Sequence, residues 1–169
     1  MLETDRLILR APGPQDHEVF AAFLGSDATQ YIGGKRTEEQ SWRYLCEVIG
    51  HWTMRGFGRW MVTLKDDDTA IGLVGLHEPQ GWPGQEVGWY IWSGTGKGKG
   101  YAREAGRAAL DYAYDTLGWP TAISMIDMGN DASVRVAEAM GAVREADYDF
   151  PGHGPVMVYR HAAPEERNA

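Results

Sequence analysis

Residues 94–105 read Gly94-Thr95-Gly96-Lys97-Gly98-Lys99-Gly100-Tyr101-Ala102-Arg103-Glu104-Ala105: glycines interleaved with two lysines, running into a helix-forming stretch. Glycine lets a backbone approach a ligand without a Cβ in the way and reach positive φ. The free N–H groups of a following helix's first turn, aligned with its dipole, make an anion site. A ligand carrying phosphates is therefore expected here. The spacing excludes two common versions of such a loop. A Walker loop needs Ser or Thr after Gly-Lys to hold Mg²⁺; here the pairs at 34–35, 96–97 and 98–99 are followed by Arg36, Gly98 and Gly100. The dinucleotide fingerprint G-x-G-x-x-G fails because its third glycine would fall on Lys99, Tyr101 or Arg103. A flexible loop with solvated lysines is the plain alternative. Against it stand the flanking strand and helix and two further cations, Arg103 and Arg107, although Arg107 reads equally as part of a solvated helix face.

Outward from this turn, Glu86–Trp92 has the composition of a strand, with Gly88 pointing to a bulge or a close backbone approach. After the loop, Gly100–Leu117 places Ala102, Ala105, Ala109 and Ala113 at helical spacing, a stripe small enough to pack closely on a sheet. Gly118-Trp119-Pro120 stops it. A strand is expected at 122–128, a helix over 131–140 capped by Gly141, and two closing strands at 143–150 and 155–161. Toward the N-terminus, 6–10 alternates as a strand and a short helix runs through Phe23-Leu24. Thr37-Glu38-Glu39-Gln40 forms a capping box for a helix to about Met54, with Trp42, Leu45, Cys46 and Ile49 expected on its inner face. Strands near 60–65 and 70–77 flank Asp66-Asp67-Asp68, which reads as an exposed hairpin turn and not a metal site. The result is a mixed α/β chain of one domain over 1–169, its tail from about 164 frayed, with a crossover helix between the 86–92 and 122–128 strands.

The chain is long enough for a substantial core. Its formal charge of −8 argues against a general nucleic-acid binder, which would show a basic face, and fits the attraction of a cationic substrate. One cysteine, Cys46, excludes an intrachain disulfide and points to a reducing compartment; it is expected to be buried or half-buried. No apolar run reaches membrane-spanning length and the opening residues do not resemble a signal peptide, so a cytoplasmic location without membrane association is expected. The five histidines lack metal-ligand spacing, and no metal is expected.

Three segments bring the chain close to a known family. Glu3-Thr4-Asp5-Arg6-Leu7-Ile8-Leu9-Arg10 resembles the opening strand of the ribosomal-protein N-terminal acetyltransferase (RimJ/RimL-like) branch of the GNAT N-acetyltransferases. Lys97-Gly98-Lys99-Gly100-Tyr101-Ala102, continued by Arg103-Glu104-Ala105, resembles the family's (Q/R)-x-x-G-x-(G/A) acetyl-CoA loop. Asn130-Asp131-Ala132-Ser133, with Glu138 to Ala142, is similar to its N-x-x-S…K-x-G-F segment. Lys97 departs from the Gln/Arg position, Ala139 from the usual Lys and Ala142 from the usual aromatic, the last a loss of local packing. The resemblance implies the acyl-CoA N-acyltransferase fold: a central, mostly antiparallel sheet flanked by helices. It implies acetyl-CoA as co-substrate, an amine acceptor, and a homodimer as a family-level expectation. Backbone N–H groups from Lys97 through Gly98, Lys99, Gly100 and Tyr101 to Ala102 would hold the pyrophosphate. Exposed backbone at Ile91, Trp92 and Ser93 would bond the pantetheine arm, Asn130 would orient it, and Ser133 would lie near the sulfur. Asn130 also reads as a helix cap, a reading that explains Ser133 poorly.

Acetyl transfer to an amine must remove a proton from the ammonium, give the oxyanion donors, and stabilise the leaving thiolate. No covalent enzyme intermediate is required; holding both substrates together supplies much of the acceleration. Glu86 is the expected base, directly or through water, its pKa raised by desolvation from Trp82 and Trp89; an exposed strand-end carboxylate is the alternative. Ser133 is the expected acid or hydrogen-bond donor to sulfur, ahead of Tyr101 and Tyr148, and a backbone N–H of the 86–92 strand is the oxyanion donor. Acceptor choice would lie in the first two helices and in 148–155, with Trp52, Phe57, Trp82 and His153 as candidate lining. A protein N-terminus and a small amine both fit, and a non-catalytic acyl-CoA-binding sensor is the reading from another class.

Overall fold

In the computed structural model, residues 1–92, 94, 96 and 98–166 are described. Two short strands, β1 (Leu2–Glu3) and β2 (Leu7–Arg10), lead through a 3-10 turn into α1 (His17–Leu24), followed by α2 (Glu38–Arg55). The α2 start is the reciprocal cap expected from its sequence: Thr37 Oγ1 accepts from Gln40 N–H and Gln40 Oε1 accepts from Thr37 N–H at 2.9 Å. Such a cap is worth about 1 kcal/mol. Then come β3 (Arg59–Leu64), β4 (Asp67–His77), β5 (Glu86–Ile91), α3 (Tyr101–Asp115), β6 (Ala122–Asp127), α4 (Asp131–Ala139), β7 (Val143–Arg144), β8 (Tyr148–Phe150) and β9 (Gly154–His161).

The strands form one sheet in the order β1-β2-β3-β4-β5-β6-β9-β7, with β8 also paired to β9. Every pairing is antiparallel except β5 with β6, the pair that α3 connects as the crossover helix. That parallel pair is joined in register only at Glu86 opposite Ile123. One sheet face packs on α3, whose Ala105, Ala109 and Ala113 are fully enclosed against Trp60, Val62, Val74 and Val87. The other packs on α1 and α2, where Phe20, Leu24, Leu45 and Val48 meet Met61, Leu73 and Trp92. Burying each such side chain contributes about 1.5–3 kcal/mol.

Three local expectations change. The inner face of α2 is Ser41, Leu45 and Val48, so Trp42 is half exposed and Cys46 is exposed; the stripe is turned by one position because the sheet lies under Leu45 and Val48. Ala142 is buried beside Ile126, Met157 and Tyr159, which occupy the space an aromatic would take. Gly88 makes no bulge: the β4–β5 register runs without a shift from Gly72–Ile91 to His77–Glu86. Among the described residues no helix is long and apolar enough to cross a membrane.

Candidate active site

The glycine turn and the start of α3 form one end of the site. Ser93, Thr95 and Lys97 lie outside the described residues, so the expectations placed on Ser93 and Lys97 do too. Gly98 and Gly100 have φ of +81°, a conformation L side chains rarely adopt. Gly96 is glycine for a different reason, since a Cβ there would stand 2.7 Å from Ile91 Cγ2 and 3.1 Å from Tyr101 Cδ2. Gly100 is the N-cap of α3 and offers no side-chain acceptor, so the first-turn N–H groups remain available to a ligand. Gly100 and Ala102 sit at the helix entry, while the Lys99 N–H expected to face a ligand donates instead to Gly96 O at 3.2 Å. Tyr101 is buried beneath the Arg6 guanidinium, 4.7 Å from its ring, and its phenol is a core group.

Arg6 ties this entry to the N-terminal strands. Its Nε donates to Glu104 Oε2 at 2.7 Å, its Nη1 to Lys99 O at 3.0 Å, and its backbone N–H to Glu104 Oε1. Thr4 Oγ1 donates to the same Oε1 at 2.6 Å. Partial burial pushes the Glu104 carboxyl up, and the hydrogen bonds from Thr4 and Arg6 more than offset it, holding the group below its ordinary pKa. The opening motif is therefore a clamp on the turn, a role its sequence alone does not disclose.

The second end is where the sheet splits. Ile123 N–H donates to Gln85 O at 2.8 Å and Ser124 Oγ to Val87 O at 2.6 Å, after which β5 and β6 are no longer paired. Trp92 N–H donates to Ile71 O at 2.8 Å. Backbone groups alternate sides along an antiparallel strand, so Glu86, Gly88, Tyr90 and Trp92 turn theirs to β4, while Trp89 and Ile91 turn theirs to the open side. The Ile91 backbone is thus left unpaired by β4. Trp92 does not fit its expected role: its N–H is spent, and its indole donates to Ala70 O and stacks on Phe23 at 4.2 Å inside the core. Trp89, two residues back from Ile91 along the strand, is the residue that shares its open backbone side.

A cleft of about 650 Å³ opens at the split and runs from Asn130 and Ser133 past Glu86 and Gly88 to Tyr44 and Arg59. Asn130 caps α4, its Oδ1 accepting from Ser133 N–H at 3.2 Å, so both the capping reading and the cleft reading apply to it. Ser133 is half-buried and lines the cleft. Tyr148 packs on Phe150 in β8. Of the four aromatic candidates, Trp82 and His153 line the cleft, the latter 2.8 Å from Asp127 Oδ1. Trp52 and Phe57 belong to the core, with Trp52 Nε1 donating to Arg59 O.

Glu86 is buried, not exposed. Burial raises its pKa; the nearby Arg59 charge, a hydrogen bond from Trp82 Nε1 to Oε2 at 2.7 Å and a backbone hydrogen bond from Met125 act in the opposite sense, and burial prevails. Trp82 therefore stabilises the charged form, contrary to the expected desolvating role. Trp89 is one residue out of phase with Glu86 and packs on the α3 face.

Sequence reasoning missed Arg59. In the sheet Arg59, Gly75 and Gly88 stand directly opposite one another. The two glycines leave a trough along which the arginine lies, and a Cβ built on Gly88 would be 3.6 Å from its Nη2 and 3.8 Å from its Nε. Arg59 Nη1 donates to Tyr44 Oη at 2.8 Å and Tyr90 Oη at 3.4 Å. Burial, the Arg59 charge and stacking neighbour His51 together pull the His77 imidazole down to about 2, so it is neutral. No local signal marks Arg59; only the register of three strands does.

The family model described as "Acetyltransferase (GNAT) domain" matches residues 6–143. The uncharacterized N-acetyltransferase YoaA of Bacillus subtilis is 30% identical over 149 residues, covering 86% of this chain and 84% of that protein. The crystal structure of an acetyltransferase from Agrobacterium tumefaciens superposes with a TM-score of 0.87 at 30% identity, covering 95% and 93% of the two chains. RimL, an alpha-N-protein acetyltransferase solved in complex with coenzyme A, superposes at 0.78 over 95% and 96% of the chains, but at 13% identity that likeness concerns the fold. With a split sheet, a glycine-built helix entry and a family match over most of its length, this chain belongs to the GNAT acetyltransferase family.

Proposed function

We propose that the protein transfers an acetyl group from acetyl-CoA to a primary amine by direct attack in a ternary complex. The observation that carries this reading is the open edge of β5, where Trp89 and Ile91 turn their backbone groups away from β4 beside a cleft lined by Trp89, Glu86 and Ser133. Acetyl-CoA, when bound, supplies the activated thioester. The chain's residues fit such a molecule: the uncapped N–H groups of α3 suit a pyrophosphate, and the open β5 edge suits a chain of amides added like a strand. Glu86 takes the proton from the incoming ammonium, directly or through water; its raised pKa makes it a stronger base than an ordinary carboxylate. An N–H on the open β5 edge donates to the developing oxyanion. Ser133 hydrogen-bonds the departing sulfur.

Incubation with acetyl-CoA and a panel of peptides, amino acids and small amines tests this, with free thiol and acetylated product both measured. Thiol release that depends on an amine is the expected result. Binding of acetyl-CoA without release for any amine would instead make the protein a non-catalytic acyl-CoA-binding module.

A further inference from the structure

The inner end of the cleft holds two guanidinium groups that, among the described residues, no carboxylate contacts; Glu86 acts on Arg59 from beyond salt-bridge distance. Arg59 is 7% exposed; among the described residues its hydrogen bonds go to two phenols and its Nε has no partner. Arg36 stands across the same tyrosine, its guanidinium 4.5 Å from the Tyr44 ring centroid; Nη2 donates to Ile32 O at 3.1 Å while Nη1 is enclosed without a partner. Among the described residues neither guanidinium forms an ion pair. Other charges lining the cleft are engaged elsewhere or lie outward: Lys35 pairs with Asp27, Asp127 with His153, and Arg43 and Glu47 are exposed on α2. A buried cation whose hydrogen bonds go only to neutral groups is costly, and a ligand that brings an anion into direct contact recovers part of that cost.

The nearest negative group is Glu86, and its distance limits what the ligand is. The same Cβ position on Gly88 that lies 3.6 Å from Arg59 Nη2 lies 3.6 Å from Glu86 Oε1. A cation and a carboxylate thus flank a single backbone position, with the cleft opening above it. A ligand that answers both carries its own anion and amine only one or two carbons apart. We infer that the acetyl acceptor is a zwitterion, an α-amino acid or close relative, whose carboxylate is held by Arg59 with Arg36 as flanking cation and whose amine lies against Glu86. This rests on the reading of Glu86 as the group that receives the amine. The planar fork of arginine suits a carboxylate. A peptide N-terminus presents a neutral amide at that position, and a phosphate would bring a second negative charge toward Glu86. The chain's overall acidity therefore misleads about its acceptor, because the charge at this end of the cleft has the opposite sign.

The test measures acetyl-CoA-dependent thiol release with the common α-amino acids, their carboxamides, and tripeptides beginning with the same residues. The free acid is expected to exceed both neutral analogues at least tenfold in kcat/KM. Arg59→Gln is expected to reduce that preference below threefold, and Arg36→Ala, at a half-buried loop position, to reduce it severalfold. In parallel, the Arg59 Nε–H resonance of the wild-type protein is followed by NMR during titration with the same compounds; it should move with the acid and not with the carboxamide. Equal turnover of acid and carboxamide, or a preference that survives in both variants, overturns the inference. If no amine is acetylated, the transfer reading fails and the Nε–H titration alone decides: a shift specific to the acid upholds the anion subsite, and its absence refutes it. Should Arg59→Gln not fold, Arg36→Ala and the wild-type titration carry the test.

Discussion

The two parts of the site, the α3 entry and the cleft, are made of different materials. At the α3 entry the groups offered to a ligand are backbone N–H donors, exposed by glycines and by a helix cap without a side chain. At the inner end they are side chains, Arg59, Tyr44, Tyr90 and Glu86, drawn from α2, β3 and β5 and laid over two opposed glycines. A backbone site needs only the right local conformation. A site of converging side chains needs three strands in one register. The division also suggests separate tasks: the first end would set affinity for acetyl-CoA, the second the choice of acceptor and the proton transfer.

Substitutions that strike one end and spare the other can break that division. The largest effect is expected from Glu86→Gln, a loss of about 10²–10³ in kcat with acetyl-CoA affinity within about twofold by calorimetry; unchanged turnover would remove Glu86 from the mechanism. Next is Gly96→Ala, whose Cβ has no room against Ile91 and Tyr101. Overpacking of this kind costs about 1–3 kcal/mol, and acetyl-CoA affinity should fall roughly tenfold or more. Wild-type binding would show that the turn is not what the cofactor contacts.

The pH profile ranks third. A base acts when deprotonated, so kcat should rise with pH, with a midpoint above the ordinary 4.5 because burial raises the Glu86 pKa. Glu86→Gln should abolish that limb. The sign for stability is opposite: a carboxyl with a raised folded pKa binds its proton more tightly folded than unfolded, so its contribution declines as pH climbs above 4.5 toward the folded value. Arg6→Ala should weaken acetyl-CoA about three- to tenfold by releasing Lys99 and Glu104, with each lost hydrogen bond worth about 0.5–1.5 kcal/mol, and leave kcat near wild type. Ser133→Ala should have the smallest effect, a few-fold loss in kcat, since a hydroxyl that only hydrogen-bonds sulfur contributes on the order of 1 kcal/mol. A wild-type rate would leave Ser133 as part of the α4 cap region alone.

Reading the chain alone succeeded where structure is local. The Thr37–Gln40 capping box, the alanine stripe of α3, the stop at Gly118 and the glycine-built helix entry all depend on residues within a turn or two of one another. It failed at the α2 face, where Cys46 and Trp42 point outward because the sheet beneath decides which helical stripe is buried. It failed again at Trp92, where a one-residue difference in strand phase separates a spent N–H from an open one.

The family, the mixed sheet with its crossover helix and the glycine-built entry to α3 were legible along the chain, because glycine spacing, caps and apolar periodicity act over short distances. Tertiary structure alone decided the rest of the site. It placed Arg59 over Gly75 and Gly88, sixteen and twenty-nine positions away, buried Glu86 so that its pKa rises, and turned Trp89 to the open edge. Those outcomes follow from strand register and burial, which are set by the whole sheet and have no signature in any one segment.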